Sequence, residues 1–347
     1  MSVAPTLRSI DALIEAGLAS PEDRRALEAV AARYAVAITP LSAALIEGSD
    51  PADPVALQFL PGAAELEASP DEMTDPTGDL IKSPLPGIVH RYPDRVLLMP
   101  THVCASYCRF CFRRDRVGPG KAEALSPDAL SAAIQYIREH RDIWEVILTG
   151  GDPLILSARR LEALTRELAE ITHLRVLRVH SRAPAVAPER ITPALIRALK
   201  RGRKATYLAL HVNHPRELTS EVRAACARLV DAGIVLLSQT VLLRGVNDDP
   251  IVLESLMRAL VETRIRPYYL HHLDPAPGSG HFRVPLAEGR EMVRRLRGRV
   301  SGLCQPTFVL DIPGGHGKVP VGPDYVVSDS EAALEITDPW GVTHRFG

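Results

Sequence analysis

The sequence predicts an α/β fold: a partial (β/α) barrel of the TIM type with about six parallel strands, preceded by an N-terminal helical extension. Three observations predict it. From Arg95 onward, short apolar runs of strand character alternate with amphipathic segments of helix length, the pattern of a parallel sheet. Polar residues suited to chemistry follow six of those runs, and the C-terminal ends of barrel strands are where such folds carry their active sites. The first ninety residues lack the alternation.

Taken in order, Ile10–Gly17, Pro21–Ala35 and Pro40–Glu47 read as short helices, and Asp50–Asp53 break the pattern. Residues 60–87 are rich in Pro, Asp and Gly and read as an extended arm lying on the main domain. The expected strands are Val96–Met99, Glu145–Leu148, Arg175–Val179, Thr206–Leu210, Val235–Gln239, Pro267–His271 and Thr307–Leu310. Between them, helices are expected at Pro127–His140, Ala158–Ile171, Pro193–Lys200, Pro215–Ala232, Pro250–Glu262 and Pro285–Arg297. Several open on Pro, a favoured first-turn residue. Tyr325–Val327 and Ala333–Thr337 read as a hairpin closing the barrel. The domain reading is therefore 1–90 for the helical region and arm, 91–320 for the barrel and 321–347 for the C-terminal hairpin.

The chain has 347 residues, a formal net charge of −1 and 46% hydrophobic residues. That balance offers no basic field for nucleic acid or a membrane surface. The N-terminus lacks an apolar signal core and no run is long enough to span a bilayer, so a cytoplasmic location is expected. There are five cysteines, three of them within eight residues, and an odd count in a long chain without a signal argues against a disulfide framework.

Those three are Cys104-Ala-Ser-Tyr-Cys108-Arg-Phe-Cys111, a C-x3-C-x2-C spacing in a loop after the first barrel strand. Thiolates suit iron–sulfur clusters and zinc. A four-iron cluster ordinarily takes four cysteines, so three would leave one iron open to a further ligand. The competing reading is a Cys3His zinc site completed by His102. Further on, Pro313-Gly-Gly-His-Gly-Lys318 puts a lysine after a Gly-rich turn. It is not a phosphate loop, because Ile312 stands where Gly is required and Val319 where Ser or Thr is. Taken alone, Lys318 reads as an exposed lysine, Asp274 as a turn residue before Pro275 and Asp311 as a polar cap on a strand.

The cysteine loop resembles the radical S-adenosylmethionine (SAM) superfamily, and ten ordered segments resemble the lysine 2,3-aminomutase family. They are Arg91-Tyr-Pro-Asp-Arg95-Val-Leu-Leu, the cysteine loop, Arg113-Arg114, Leu148-Thr-Gly-Gly-Asp152, Ser181-Arg-Ala-Pro184, His211-Val-Asn-His-Pro215, Gln239–Asp248, Arg266-Pro-Tyr-Tyr269, Gly280-His-Phe-Arg283 and Asp311–Lys318. The resemblance as a whole covers roughly residues 10–330.

The resemblance implies a [4Fe-4S] cluster on Cys104, Cys108 and Cys111 that cleaves SAM to a 5′-deoxyadenosyl radical. It implies pyridoxal 5′-phosphate (PLP) bound as a Schiff base to Lys318, with its phosphate on Arg91 and Arg95. Gly150, Gly151 and Asp152 match the motif that contacts the methionyl ammonium of SAM, and His211 and Gln239 match strand ends facing SAM. Arg113 matches the residue that binds the substrate carboxylate, and Asp274 and Asp311 the pair that holds the distal ammonium of lysine. The implied reaction moves the 2-amino group of lysine to C3, giving β-lysine, with electrons from a flavodoxin- or ferredoxin-type reductant.

The chain departs from long-form aminomutases at Asp249, where they carry a zinc-ligand cysteine, and near residue 347, where they continue into a Cys-rich segment. No interface zinc is therefore expected, and a homo-oligomer is left open. The cysteine loop also leans toward the branch that supplies β-lysine for elongation factor P modification. Product stereochemistry stays open, as does action on another amino acid. A radical SAM enzyme without PLP and a noncatalytic metal-binding protein are the rival readings.

Overall fold

A computed structural model describes residues 5–48, 50, 52–118, 124–330 and 333–346; residues 1–4 of the expected N-terminal region lie outside that set. Short helices come first: α1 (Ile10–Glu15), α2 (Arg24–Arg33), α3 (Pro40–Leu45) and α4 (Ala56–Phe59). Ser9 and Thr39 cap α1 and α3 with their hydroxyls, and the Asp53 carboxylate accepts the free N–H groups of Val55 and Ala56 ahead of α4. The arm then crosses the barrel mouth, where the Met73 N–H reaches the Pro275 carbonyl at 2.7 Å.

One nine-stranded sheet follows in chain order: β1 (Ile88–Tyr92), β2 (Arg95–Thr101), β3 (Glu145–Gly150), β4 (Val176–Ser181), β5 (Ala205–His211), β6 (Val235–Val241), β7 (Arg266–His271), β8 (Thr307–Ile312) and β9 (Gly317–Pro320). Strands β2 to β8 are parallel neighbours, so the parallel run has seven strands rather than six. The two edge strands, β1 and β9, are antiparallel and were not foreseen. Side chains cross the seam between them: the Tyr92 hydroxyl accepts the Lys318 N–H at 2.8 Å.

Helices α5 (Pro127–Glu139), α6 (Ala158–Ala169), the short α7 (Ala183–Val186), α8 (Pro193–Lys200), α9 (Ser220–Asp231), α10 (Pro250–Glu262) and α11 (Leu286–Leu296) connect the strands. Alternation along the strands sorts their side chains. Val146 and Leu148 on β3, Leu177 and Val179 on β4, and Leu208 and Leu210 on β5 face the helices in the main core. The residues that alternate with them, such as Thr149, His180 and His211, face the lumen.

The expected helix at Pro215–Ala232 is two elements. Leu218 leaves helical geometry at φ −88°, ψ 59°, because the Glu217 side chain folds back to accept the N–H groups of Asn213 and His214; Thr219 then caps α9. The C-terminal segment read as a hairpin is a three-stranded antiparallel sheet, β10 (Val326–Ser330), β11 (Ala333–Thr337) and β12 (Thr343–Phe346). It pairs within itself and meets α11, where Arg294 donates to the Pro339 carbonyl at 3.3 Å. Among the described residues no helix is long and apolar enough to cross a membrane.

Two contacts fix the loop after β2. Gly151 and Asp152 donate backbone N–H bonds to the carbonyls of Thr101 and Val103, at 2.7 and 2.9 Å. A Cβ on Gly151 would stand 2.3 Å from the Val103 oxygen, so only glycine allows the approach. From the other side, buried Glu65 of the arm receives Arg109 Nε at 3.0 Å and also pairs with Arg114, whose guanidinium stacks 3.6 Å from the Tyr34 ring.

Gly151→Ala is expected to force this backbone apart, with a loss of about 1–3 kcal/mol, read as a lower Tm. Glu65→Ala leaves two buried guanidiniums without their carboxylate and should cost about 3–5 kcal/mol in urea unfolding.

Candidate active site

Strand ends and loops from β1 to β9 enclose a cavity of about 570 Å³. All fourteen residues singled out in the sequence line it: Cys104, Cys108, Cys111, Arg91, Arg95, Arg113, Gly150, Gly151, Asp152, His211, Gln239, Asp274, Asp311 and Lys318. His102, the candidate fourth zinc ligand, is not among the lining residues.

The three cysteines are unpaired and half-buried. Burial pushes the Cys104 thiol well up and the Cys111 thiol to about 11, so both carry protons at neutral pH, and metal binding there must release them. Among the described residues, no three His, Cys, Asp or Glu side chains converge as the ligands of a single ion do. A four-iron cluster asks for something different, one thiolate on each of several irons. Arg182, just after β4, donates Nη1–H to Cys108 Sγ at 2.7 Å.

Asp152 lines the cavity, but its buried carboxylate is committed to the protein. It accepts from Ser181 Oγ at 2.7 Å and from the N–H groups of Leu154, Arg182 and Ala183 at 2.8–2.9 Å. These bonds tie the end of β3 to the end of β4. Desolvation still holds the carboxyl above its usual range.

The opposite wall carries a string of alternating charges. Asp311 on β8 and Lys318 on β9 are direct cross-strand partners, and their side chains form an ion pair. Lys318 Nζ also lies 3.2 Å from His271 Nδ1. Arg91 joins Asp311 at 3.2 Å to Asp79 at 3.4 Å, and Arg113 Nε donates to Asp79 at 2.8 Å. Burial pushes the Asp79 carboxyl up, but Arg113 and Arg91 together hold it below the usual carboxylate range. Arg95 stands apart, paired with Asp94 at 2.6 Å and stacked 3.9 Å from the Tyr92 ring.

Asp274 differs from its neighbours. Among the described residues its carboxyl has no hydrogen-bond or ion-pair partner within reach. Burial, and then the charge of Asp311, raise it to about 7.

Three lining histidines are held neutral by burial: His211 is lowered to about 3, and His180 and His271 well below the ordinary value. The Nε2 of each is buried without a partner among the described residues, leaving three neutral hydrogen-bonding atoms in the lumen wall. Sequence reasoning missed Asp79, Arg178 and His180. For Arg178 and His180 a signal existed, namely polar residues at alternate positions of an otherwise apolar strand. Asp79 sits in the irregular arm and gave none.

Comparison with known proteins agrees with this geometry. Residues 98–253 match the model of the radical SAM superfamily, and residues 293–342 a model described as lysine-2,3-aminomutase. The L-lysine 2,3-aminomutase of Clostridium subterminale is 44% identical over 311 residues, covering 90% of this chain and 74% of that protein. That of Acetoanaerobium sticklandii is 44% identical over 327 residues, covering 94% and 78%. A glutamate 2,3-aminomutase of Clostridioides difficile is 35% identical over 322 residues, covering 93% and 76%. With the ordered strands, the cysteine loop and Lys318 facing one cavity, these matches make the chain a member of the lysine 2,3-aminomutase family within the radical SAM superfamily.

Proposed function

We propose that the protein is a PLP-dependent radical SAM aminomutase that converts lysine to β-lysine by moving the amino group from C2 to C3. The observation that carries the substrate is Asp274, a half-buried carboxyl on the cavity wall that has no hydrogen-bond or ion-pair partner among the described residues and feels the Asp311 carboxylate. A ligand with a distal ammonium supplies the charge this corner lacks. Glutamate would bring a third carboxyl group to it.

In this reading Cys104, Cys108 and Cys111 hold the [4Fe-4S] cluster and leave one iron for SAM, which lies against Gly150, Gly151, Asp152, His211 and Gln239. Lys318 holds PLP, and Arg91 and Arg95 serve its phosphate. The cluster with SAM supplies a carbon radical, and PLP supplies the group on which the amino nitrogen migrates. A flavodoxin or ferredoxin in the cytoplasm supplies the electron.

The chain's own residues do the rest by exchanging partners. With its Nζ committed to an aldehyde in a Schiff base, formed with loss of water, Lys318 would no longer sit as a free ammonium on Asp311. The distal ammonium of lysine takes that place between Asp311 and Asp274. Arg113, held toward the cavity by Asp79 and Thr149, meets the substrate carboxylate with its fork.

Binding of an ammonium draws on the ionised form of Asp274. Below pH 7 a proton must first leave, so the KM for lysine is expected to fall as pH rises toward and through 7, by up to tenfold per unit below it. Asp274→Asn should abolish that limb and lower kcat/KM at least about 30-fold, the lower range for truncating a buried charge pair. An unchanged pH profile in this variant would remove the substrate assignment. For the cofactor, borohydride should fix PLP to the wild-type chain and not to Lys318→Ala; equal labelling of both would place PLP elsewhere.

A further inference from the structure

One cysteine of the loop, Cys108, accepts a hydrogen bond from a charged side chain, Arg182 Nη1 at 2.7 Å.

The aim of Arg182 is fixed from several sides. Its Nη2 donates to Gln58 Oε1 at 2.6 Å and to Glu217 Oε2 at 2.7 Å. Its guanidinium carbon lies 4.3 Å from the Phe59 ring centre and 5.5 Å from that of Phe110. Glu217 is itself held by the backbone N–H groups of Asn213 and His214 at 2.9 Å. Four stretches of chain thus converge to hold one N–H on one sulfur: α4, the cysteine loop and the segments after β4 and β5. Arg182 is 7% exposed, and the two rings keep water from it.

We propose that Arg182 is a redox-tuning residue: acting through Cys108, it raises the reduction potential of the cluster. The proposal rests on the cluster reading given above. Reduction adds one negative charge to the cluster and pushes electron density onto its sulfur ligands. A guanidinium N–H on a ligand sulfur stabilises the reduced form more than the oxidised one. Glu217 cancels much of the long-range charge of Arg182, so the effect is local and directional. Burial between two rings leaves it weakly screened. The positions of Gln58 and Glu217 then have a purpose beyond packing: they prevent Arg182 from turning to another acceptor.

The test is an EPR-monitored redox titration of reconstituted wild-type, Arg182→Gln and Arg182→Lys proteins, each with its iron content measured. At the wild-type midpoint, where half the wild-type cluster is reduced, the reduced-to-oxidised ratio in Arg182→Gln is expected to be about tenfold lower, the size of one charge-assisted hydrogen bond. Arg182→Lys, which keeps a charged donor, should lie between the two. Coincident potentials at full iron content would overturn the proposal and leave the functional reading intact, whereas failure of the wild-type chain to hold a cluster would overturn that reading.

A second measurement needs no stable glutamine variant. Wild-type protein grown with guanidino-15N arginine should show 15N coupling in pulsed EPR of the reduced cluster, and that coupling should be lost in Arg182→Lys. Absence of arginine coupling in the wild type, or its persistence in Arg182→Lys, refutes the assignment.

Discussion

The two N–H bonds from Gly151 and Asp152 to the carbonyls of Thr101 and Val103 hold the cysteine loop to the barrel. Everything at the mouth depends on them. The loop with the three cysteines has little regular structure of its own, and the cluster proposed for it would need its sulfurs placed to within a fraction of an ångström. The end of β3 supplies that placement by pairing with the loop as an irregular extension of the sheet. Glycine is required there because backbone meets backbone at 2.3–2.6 Å from where a Cβ would sit. The Glu65 carboxylate clamps the far side of the loop through Arg109 and Arg114, so the loop is gripped from the barrel and from the arm.

The same economy governs the cavity wall. Lys318, Asp311, Arg91, Asp79 and Arg113 satisfy one another in sequence. Such a string avoids leaving unpaired charge in the partly buried wall of the lumen, which would be destabilising. It also means that ligand groups enter by substitution: a cation can replace Lys318 at Asp311, and an anion can share the arginines. Asp274 is the exception, an acid kept close to neutral by its surroundings until a positive partner arrives.

Much of this was legible in the sequence. The seven parallel strands bury one face against the helices and read as short apolar runs, and the site residues fell at their ends or in the ordered segments. The edge strands were not legible. The run Ile88–Tyr92 carries His and Arg, and Gly317–Pro320 is four residues bounded by Gly and Pro, so neither shows the pattern of a strand. The break at Leu218 was hidden because it comes from a side chain, Glu217, folding back on its own backbone. Asp79 was invisible for a tertiary reason: nothing in an aperiodic arm announces which turn will lie over Arg91 and Arg113. The fourteen marked residues were found together, yet the sequence did not show that Arg91 and Arg113 share an acid, or that the carboxylate of Asp152 is taken up by the backbone of the next strand.

The β8–β9 pair sets Asp311 directly across from Lys318, with Ile312 opposite Gly317 at the turn. Side chains on a strand alternate between faces, so the connecting turn acts as a ruler with a parity. Adding or deleting one residue between positions 312 and 317 would turn the lysine out of the lumen while leaving the strand intact. Adding two would restore its face but carry it a full step along the barrel axis. The segment is therefore a place where chain length, more than residue identity, decides whether the amine meets its acid.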